Sequence, residues 1–253
     1  MIERGDITSR MISGVAVCCG PPADCVAAID EDVARGRVCL GYVNTFTAYL
    51  LAKHDSFRSV LEKFVLLNDG VGLDLVSLIK YGERFRFNLN GSDFTPFYLR
   101  STRHKYRIYL LGGRPGIAER AAAAMKRIAP QHAYVGERHG YFDAAQGAEV
   151  VADIEAKGAD VVIVALGNPR QELWIAENLN KTGARLAIGV GALFDFLADA
   201  VPRAPLWMQR CRLEWLHRLS LEPKRLWKRY IVFTPVLIAQ ALAERSGLLR
   251  PAR

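Results

Sequence analysis

Six consecutive apolar residues, Val161 to Leu166, constrain this chain more than any other stretch. A strand without polar alternation must be covered on both faces, as happens inside a parallel sheet layered by helices. Gly167 closes the run. Pro169 suits the first turn of a following helix, where its missing N–H needs no partner. Asn168, Arg170, Gln171 and Glu172 then fall at the carboxyl end of a central strand, where open α/β sheets bind ligands. A polar loop ahead of a good helix start would read the same way, so the rest of the chain has to decide.

Strand and helix signals alternate along most of the 253 residues. Apolar, β-branched segments fall near Val15–Cys18, Val38–Val43, Phe64–Leu67, Arg107–Leu111, Ala133–Val135 and Leu186–Val190. Helical patterns lie between them, at Ala23–Arg35, Phe46–Glu62, Val71–Tyr81, Pro96–Thr102, Ile117–Ile128, Ala145–Lys157 and Gln171–Lys181. This order predicts a Rossmann-like α/β fold, a mostly parallel sheet with helices on both faces. The strand signals stop near Ala200. The rest of the chain reads as helical and contains Trp207, Trp215 and Trp227. The expected division is therefore an α/β core over 1–200 and a basic helical appendage over 201–253.

The net charge of +8 is confined to that appendage. Residues 201–253 carry 11 Lys and Arg against 3 Asp and Glu, whereas residues 1–200 carry 23 of each. A neutral body with a basic tail points to an anionic partner: nucleic acid, acidic lipid or a diphosphate. A solubilising helix face is the plain alternative. No run reaches the roughly twenty apolar residues of a membrane span. The nearest, Tyr230–Ala243, includes Thr234, Pro235 and Gln240 and reads as interfacial or packed. Glu3 and Asp6 do not suit a secretory signal. The five cysteines form no C-x-x-C pair and read as free thiols of a reducing cytosol.

Several strand ends carry chemistry. Asp69, in Asn68-Asp69-Gly70, stands at the mouth of the sheet and can serve as a general base, although Asp-Gly is also a common turn. Asn44 and Thr45 can orient a sugar or simply cap a helix. Leu111-Gly112-Gly113-Arg114-Pro115-Gly116 has the form of a phosphate-binding turn, but Leu111 replaces the first glycine of a dinucleotide fingerprint. Tyr141 can stack on a ring, and Gly191 lets a ligand approach backbone. Arg218, Arg225, Lys228 and Arg229 recur at roughly helical spacing and can reach one diphosphate together. No Asp-x-Asp ends a strand and the histidines are scattered, so no metal and no cofactor are expected.

In order, these motifs resemble the bacterial WecG/TagA/CpsF glycosyltransferase family. The resemblance runs over nearly the whole chain. It is carried by Asn68-Asp69-Gly70-Val71-Gly72, Gly91-Ser92-Asp93, Gly140-Tyr141-Phe142, Gly167-Asn168-Pro169-Arg170-Gln171-Glu172 and Gly189-Val190-Gly191-Ala192-Leu193-Phe194-Asp195. The tail adds Arg203-Ala204-Pro205, Leu213-Glu214-Trp215, Arg218 and Glu222-Pro223-Lys224-Arg225. The resemblance implies an inverting, metal-independent transfer from a UDP-sugar to an undecaprenyl-diphosphate-linked sugar in surface or exopolysaccharide synthesis. It implies Asp69 as base, with Asn44, Thr45, Arg218 and Arg225 in the catalytic site. Gly70, Gly91, Asp93, Gly112, Gly113, Tyr141, Pro169, Arg170, Gln171, Glu172, Gly191, Arg203 and Arg229 would bind substrate, Gln171 facing the sugar nucleotide. The appendage would dock on the cytoplasmic face of the membrane as a peripheral element and complete the site. A homo-oligomer stays open, and nucleic acid is not an expected partner. One position departs from the family pattern: Asn88 stands where many members carry arginine, so the donor can differ from N-acetylmannosamine or its uronic acid, and glucose is open.

Two rival classes use the same features. A nucleotide-binding oxidoreductase would need the glycine that Leu111 replaces. A nucleic-acid module would need salt-steep binding through the tail and would leave the strand-end motifs idle.

Overall fold

The computed structural model describes residues 7–211 and 213–249; the side chains of Ala144, Ala145, Arg210 and Arg225 fall outside that description. Eight strands form one sheet: β1 (Thr8–Ile12), β2 (Val15–Cys19), β3 (Val38–Val43), β4 (Val65–Asn68), β5 (Arg107–Gly112), β6 (Ala133–Arg138), β7 (Val161–Ala165) and β8 (Leu186–Gly189). Their order is β1-β2-β4-β3-β8-β7-β5-β6, and every pairing is parallel except β1 with β2. The helices of the first 200 residues are α1 (Pro22–Arg35), α2 (Thr45–Lys53), α3 (Asp55–Leu61), α4 (Val71–Tyr81), α5 (Gly91–Ser101), α6 (Ile117–Ile128), α7 (Ala144–Ala156), α8 (Arg170–Asn178) and α9 (Leu193–Leu197). The remainder holds α10 (Leu206–Arg210), α11 (Glu214–Leu221), α12 (Pro223–Trp227), a π-helical segment Lys228–Phe233 and α13 (Thr234–Arg245). The α/β, mostly parallel arrangement read from the alternation is the one the chain adopts.

β7 shows why its sequence has no polar alternation. Val161 and Ile163 join a core with α1, α5 and α6, through Ile29, Tyr98 and Met125. Val162 and Val164 point the other way and join Leu51, Leu61, Ile154 and Ile175. Both sides of the strand are thus dry, as a doubly covered sheet requires.

The register brings the strand ends together. Val43 of β3 pairs with Asn68 of β4, Gly112 of β5 with Ala165 of β7, and Val164 of β7 with Gly189 of β8. The segments after β3, β4, β5, β7 and β8 therefore emerge along one edge of the sheet.

The last helix returns to the core. Leu237 and Ala241 of α13 are buried in the same cluster as Leu73 and Val76 of α4. Lys80 and Glu244 form an ion pair of 2.7 Å there, with side chains only 15% and 6% exposed. Arg245 Nη1 donates to the Ile79 carbonyl at 3.0 Å. Phe233 stacks on Tyr49 with ring centroids 4.4 Å apart. The apolar run from Tyr230 is thus packed on α2 and α4 along part of its length, while Ile231 is 63% exposed. Among the described residues no helix is long and apolar enough to cross a membrane.

Three differences from the sequence reading have a local physical cause. β1 carries no strand signal, because its residues are mostly half-exposed and only Ile12 is buried. The predicted helix over Phe46–Glu62 is two helices, broken at His54, whose backbone is extended. α5 begins five residues before Pro96, because the Asn90 side chain accepts from the Ser92 and Asp93 amides. Pro96 is accommodated inside the helix.

Candidate active site

A cavity of about 1260 Å³ opens along the carboxyl edge of the sheet, between the strand ends and the tail. Asp69 stands at its β4 side. Its backbone N–H donates to the Val43 carbonyl at 2.8 Å, continuing the β3–β4 ladder one residue past the strand. Gly70 then takes a φ of +90°, a conformation that side chains disfavour, and turns the chain into α4. Asn68 Nδ2 donates to the Phe87 carbonyl at 2.9 Å, and Gly70 N–H donates to Asn88 Oδ1 at 3.2 Å. Asp69 is thus held between two anchored neighbours. The position that departs from the family pattern, Asn88, is one of the anchors.

Burial pushes the Asp69 carboxyl above the usual carboxylate range. The guanidinium charges of Arg229 and Arg218 oppose that rise, as does a hydrogen bond from Asn44, while Asp93 adds to it. Asn44 Oδ1 also caps α2, accepting from the Phe46 and Thr47 amides at 3.0 and 3.1 Å. Asn44 thus caps the helix and also lines the cavity.

The opposite wall is built from β5, β7 and β8. Gly112 has a φ of +139°, and a side chain there would collide with the Ala165 carbonyl, so the turn can lie this close only as glycine. Gly113 N–H donates to that same carbonyl at 3.1 Å. Gln171 is buried; its Oε1 accepts from the Gly191 N–H at 3.1 Å and its Nε2 donates to Glu172 Oε1 at 2.9 Å. Its amide ties α8 to the end of β8. Arg170 stacks over Phe142 at 5.3 Å, and Tyr141 is 66% exposed at the rim.

Of the residues expected to form a site, Asn44, Thr45, Asp69, Gly70, Gly91, Gly113, Tyr141, Arg170, Gln171, Glu172, Gly191, Arg218 and Arg229 line this cavity. Gly112, Pro169, Asp93 and Arg203 stand outside its lining. Arg203 instead forms a short ion pair with Asp93 and a 3.6 Å pair with Glu214, tying α5 to the tail. Pro169 precedes α8 and follows a cis peptide bond from Asn168. Arg225 lies on α12, with its side chain outside the description. Trp215, Glu222 and Tyr230 also line the tail side of the cavity, with the Trp215 and Tyr230 rings 5.4 Å apart. The sequence pattern marks Glu222 as a motif member without giving it a place; Trp215, which beside the tail arginines reads with Trp227 as suited to a membrane interface, lines the cavity here. Among the described residues no group of three His, Cys, Asp or Glu could hold a metal ion.

A family model, the glycosyl transferase WecG/TagA/CpsF family, matches residues 10–250. The chain belongs to this family. Two relatives are each named N-acetylglucosaminyldiphosphoundecaprenol N-acetyl-beta-D-mannosaminyltransferase. The one from Bacillus subtilis (strain 168) is 32% identical over 192 residues, 75% of this chain and 73% of the relative. The one from Bacillus spizizenii (strain ATCC 23059 / NRRL B-14472 / W23) is 31% identical over 183 residues, 72% of this chain and 70% of the relative. The protein is a glycosyltransferase, and the cavity is its candidate active site.

Glu172 is the most buried acid of the cavity, at 2% exposure. Burial lifts its carboxyl from 4.5 to about 7, against hydrogen bonds from Gln171 and Asn168 that pull it down. A carboxyl that binds its proton more tightly folded than unfolded stabilises the fold below pH 4.5. That stability is lost as pH rises through about 7. Each tenfold change in proton affinity is about 1.4 kcal/mol, so the full loss is roughly 3 kcal/mol. Glu172→Gln is therefore expected to flatten the fall in stability between pH 4.5 and 8, as read by urea unfolding across that range. An unchanged slope would show that Glu172 is ionised throughout.

Proposed function

We propose that this glycosyltransferase moves a sugar, with inversion and without a metal, from a UDP-sugar to a sugar on undecaprenyl diphosphate. The observation that carries the reading is the joint placement of Asp69 and two tail guanidiniums in one cavity at the carboxyl edge of the sheet. The relatives' names support the acceptor, a diphosphoundecaprenol-linked sugar. In the proposed reaction Asp69 accepts the acceptor hydroxyl's proton as that oxygen bonds to C1 of the donor. The C1–O bond to UDP breaks, and UDP leaves carrying the electron pair. The hydroxyl becomes acidic only late in this step, so a carboxylate suffices if well placed. Charge gathering on the diphosphate would be met by Arg218, Arg229 and the turn that precedes α6.

We infer peripheral docking on the cytoplasmic membrane face for the 201–253 appendage. Leu206, Trp207 and Ile231 are 69%, 61% and 63% exposed, and Lys224 and Lys228 belong to the same segment. Each basic side chain near an anionic surface contributes about 1 kcal/mol, and the tryptophan and aliphatic groups suit the head-group layer.

The test is transfer from a panel of radiolabelled UDP-sugars to a short-chain polyprenyl-diphosphate N-acetylglucosamine, with and without EDTA. One donor is expected to be used at a rate that EDTA leaves unchanged. Loss of transfer in EDTA, restored by a divalent cation, would overturn the metal-free mechanism. Failure of every donor together with no UDP binding would overturn the reading itself.

A further inference from the structure

Helix α11 carries Arg218 to the cavity, yet none of its residues is fully buried. A hydrophobic core therefore does not set its place, and the few contacts it makes decide where Arg218 stands. Glu214, Arg218 and Glu222 recur every four residues, share one helix face and line the cavity together. Arg218 lies over the Phe196 ring at 5.5 Å, and the Trp215 ring lies 5.4 Å from that of Tyr230. A further contact is ionic. Arg203 Nε stands 3.6 Å from Glu214 Oε1, while Arg203 Nη2 is bonded to Asp93 Oδ1. Asp93 is itself fixed to the core: it lies in the first turn of α5, and Asn90 Nδ2 donates to its other carboxyl oxygen at 2.8 Å. One guanidinium thus spans a carboxylate of the core and a carboxylate of α11, one helical turn ahead of Arg218. Charge explains why a cation is needed there. Asp69, Asp93 and Glu214 stand close enough to repel one another, and Arg203 bonds two of the three. Arg203 lies outside the cavity lining, with its charge turned to these carboxylates.

We propose that Arg203 is a positioning residue for sugar transfer: it clasps α11 to α5 through Glu214 and Asp93, and so sets Arg218 against the reacting groups without touching substrate itself. Half-exposed ion pairs contribute little to global stability. The clasp therefore acts on the placement of one helix and leaves the fold to its cores.

This inference rests on the reading that Arg218 faces the diphosphate during transfer, and two measurements on the full chain separate the failure of one from that of the other. The first is hydrogen exchange with melting curves on the wild type, Arg203→Ala and Asp93→Ala. Exchange over 214–221 should quicken about fivefold in both variants, the most that a half-exposed ion pair contributes. Protection of α6 and α8 and the melting temperature should stay at wild-type values. The second is a double-mutant cycle of Arg203→Ala with Arg218→Ala, read as kcat and as UDP affinity. Arg203→Ala alone should lower kcat by up to about 10²-fold, the cost of a catalytic group displaced by about 1 Å. Arg203→Lys keeps the charge but not the fork and should recover part of that loss. In the Arg218→Ala background, Arg203→Ala should change kcat and UDP affinity by no more than about twofold, because the side chain it places is gone. Losses that multiply in the double variant would make Arg203 a substrate contact and overturn the positioning role. Wild-type exchange over 214–221 in Arg203→Ala would overturn the clasp, whatever the protein transfers. A general loss of protection with a large fall in melting temperature would overturn it too, by making Arg203 a support of the whole fold. Absence of transfer from every UDP-sugar in the wild type would overturn the parent reading and the role in transfer, and the exchange measurement would still decide the clasp.

Discussion

Asp69→Asn is expected to lower transfer about 10²–10⁴-fold, the usual contribution of a positioned general base, while UDP binds as tightly as before or tighter. The split follows from the geometry. Asp69 is held by hydrogen bonds of its neighbours, Asn68 Nδ2 to the Phe87 carbonyl and Gly70 N–H to Asn88 Oδ1, which an amide side chain at position 69 leaves in place. The substitution also removes a negative charge from a cavity that must accept a diphosphate. Because burial already penalises the ionised carboxyl, the neutral amide should not lower the melting temperature. A rate loss accompanied by a large fall in melting temperature would point to a structural residue. A rate within twofold of the wild type would remove Asp69 as the base. Initial rates at saturating donor, together with a melting curve, decide among the three.

The parts of this molecule legible in the sequence are those set by short-range rules. β7 could be read as doubly buried because all its residues are apolar, and α4 and α6 begin and end where their patterns do. The line of strand-end motifs was legible for a related reason. In a parallel sheet every carboxyl end points the same way, so Asn44, Asp69, Gly113 and Gly191 had to share an edge once the alternation was recognised. β1 was not legible, because an edge strand with one buried residue has no periodicity to detect. Nor was the break at His54, which no glycine or proline marks. Partner choice was the least legible. Arg203 and Asp93 are bonded to each other, a pairing the sequence does not announce, because a conspicuous charged residue says nothing about which opposite charge the fold brings to it. Gln171 lines the cavity, and no local pattern announces that its amide also bridges Gly191 and Glu172. The burial of Glu172, on which its raised proton affinity depends, exists only once α8 is laid on the sheet.

Arg229→Ala and Arg218→Ala are each expected to cost about 10²–10³ in turnover, as loss of a preorganised charge facing a leaving group does, and to move the acidic limb of the rate profile upward. The second effect carries the argument. Both guanidiniums hold the Asp69 carboxyl down against burial, Arg229 more than Arg218. Removing either lets the carboxyl keep its proton to higher pH, so the base is lost at a pH where the wild type still works. The shift should be larger for Arg229→Ala. Lysine in place of arginine keeps the charge but not the planar fork. Arg229→Lys is therefore expected to return the limb to its wild-type position while recovering only part of the rate. A purely structural arginine would lower the rate at every pH alike and leave the limb where it was. The profile thus separates a tail that merely packs from one that sets the chemistry. Both arginines belong to the segment that α13 fastens to α4 through Lys80 and Glu244. The base and its counter-charges sit on parts of the chain about 150 residues apart and meet only when the tail is seated.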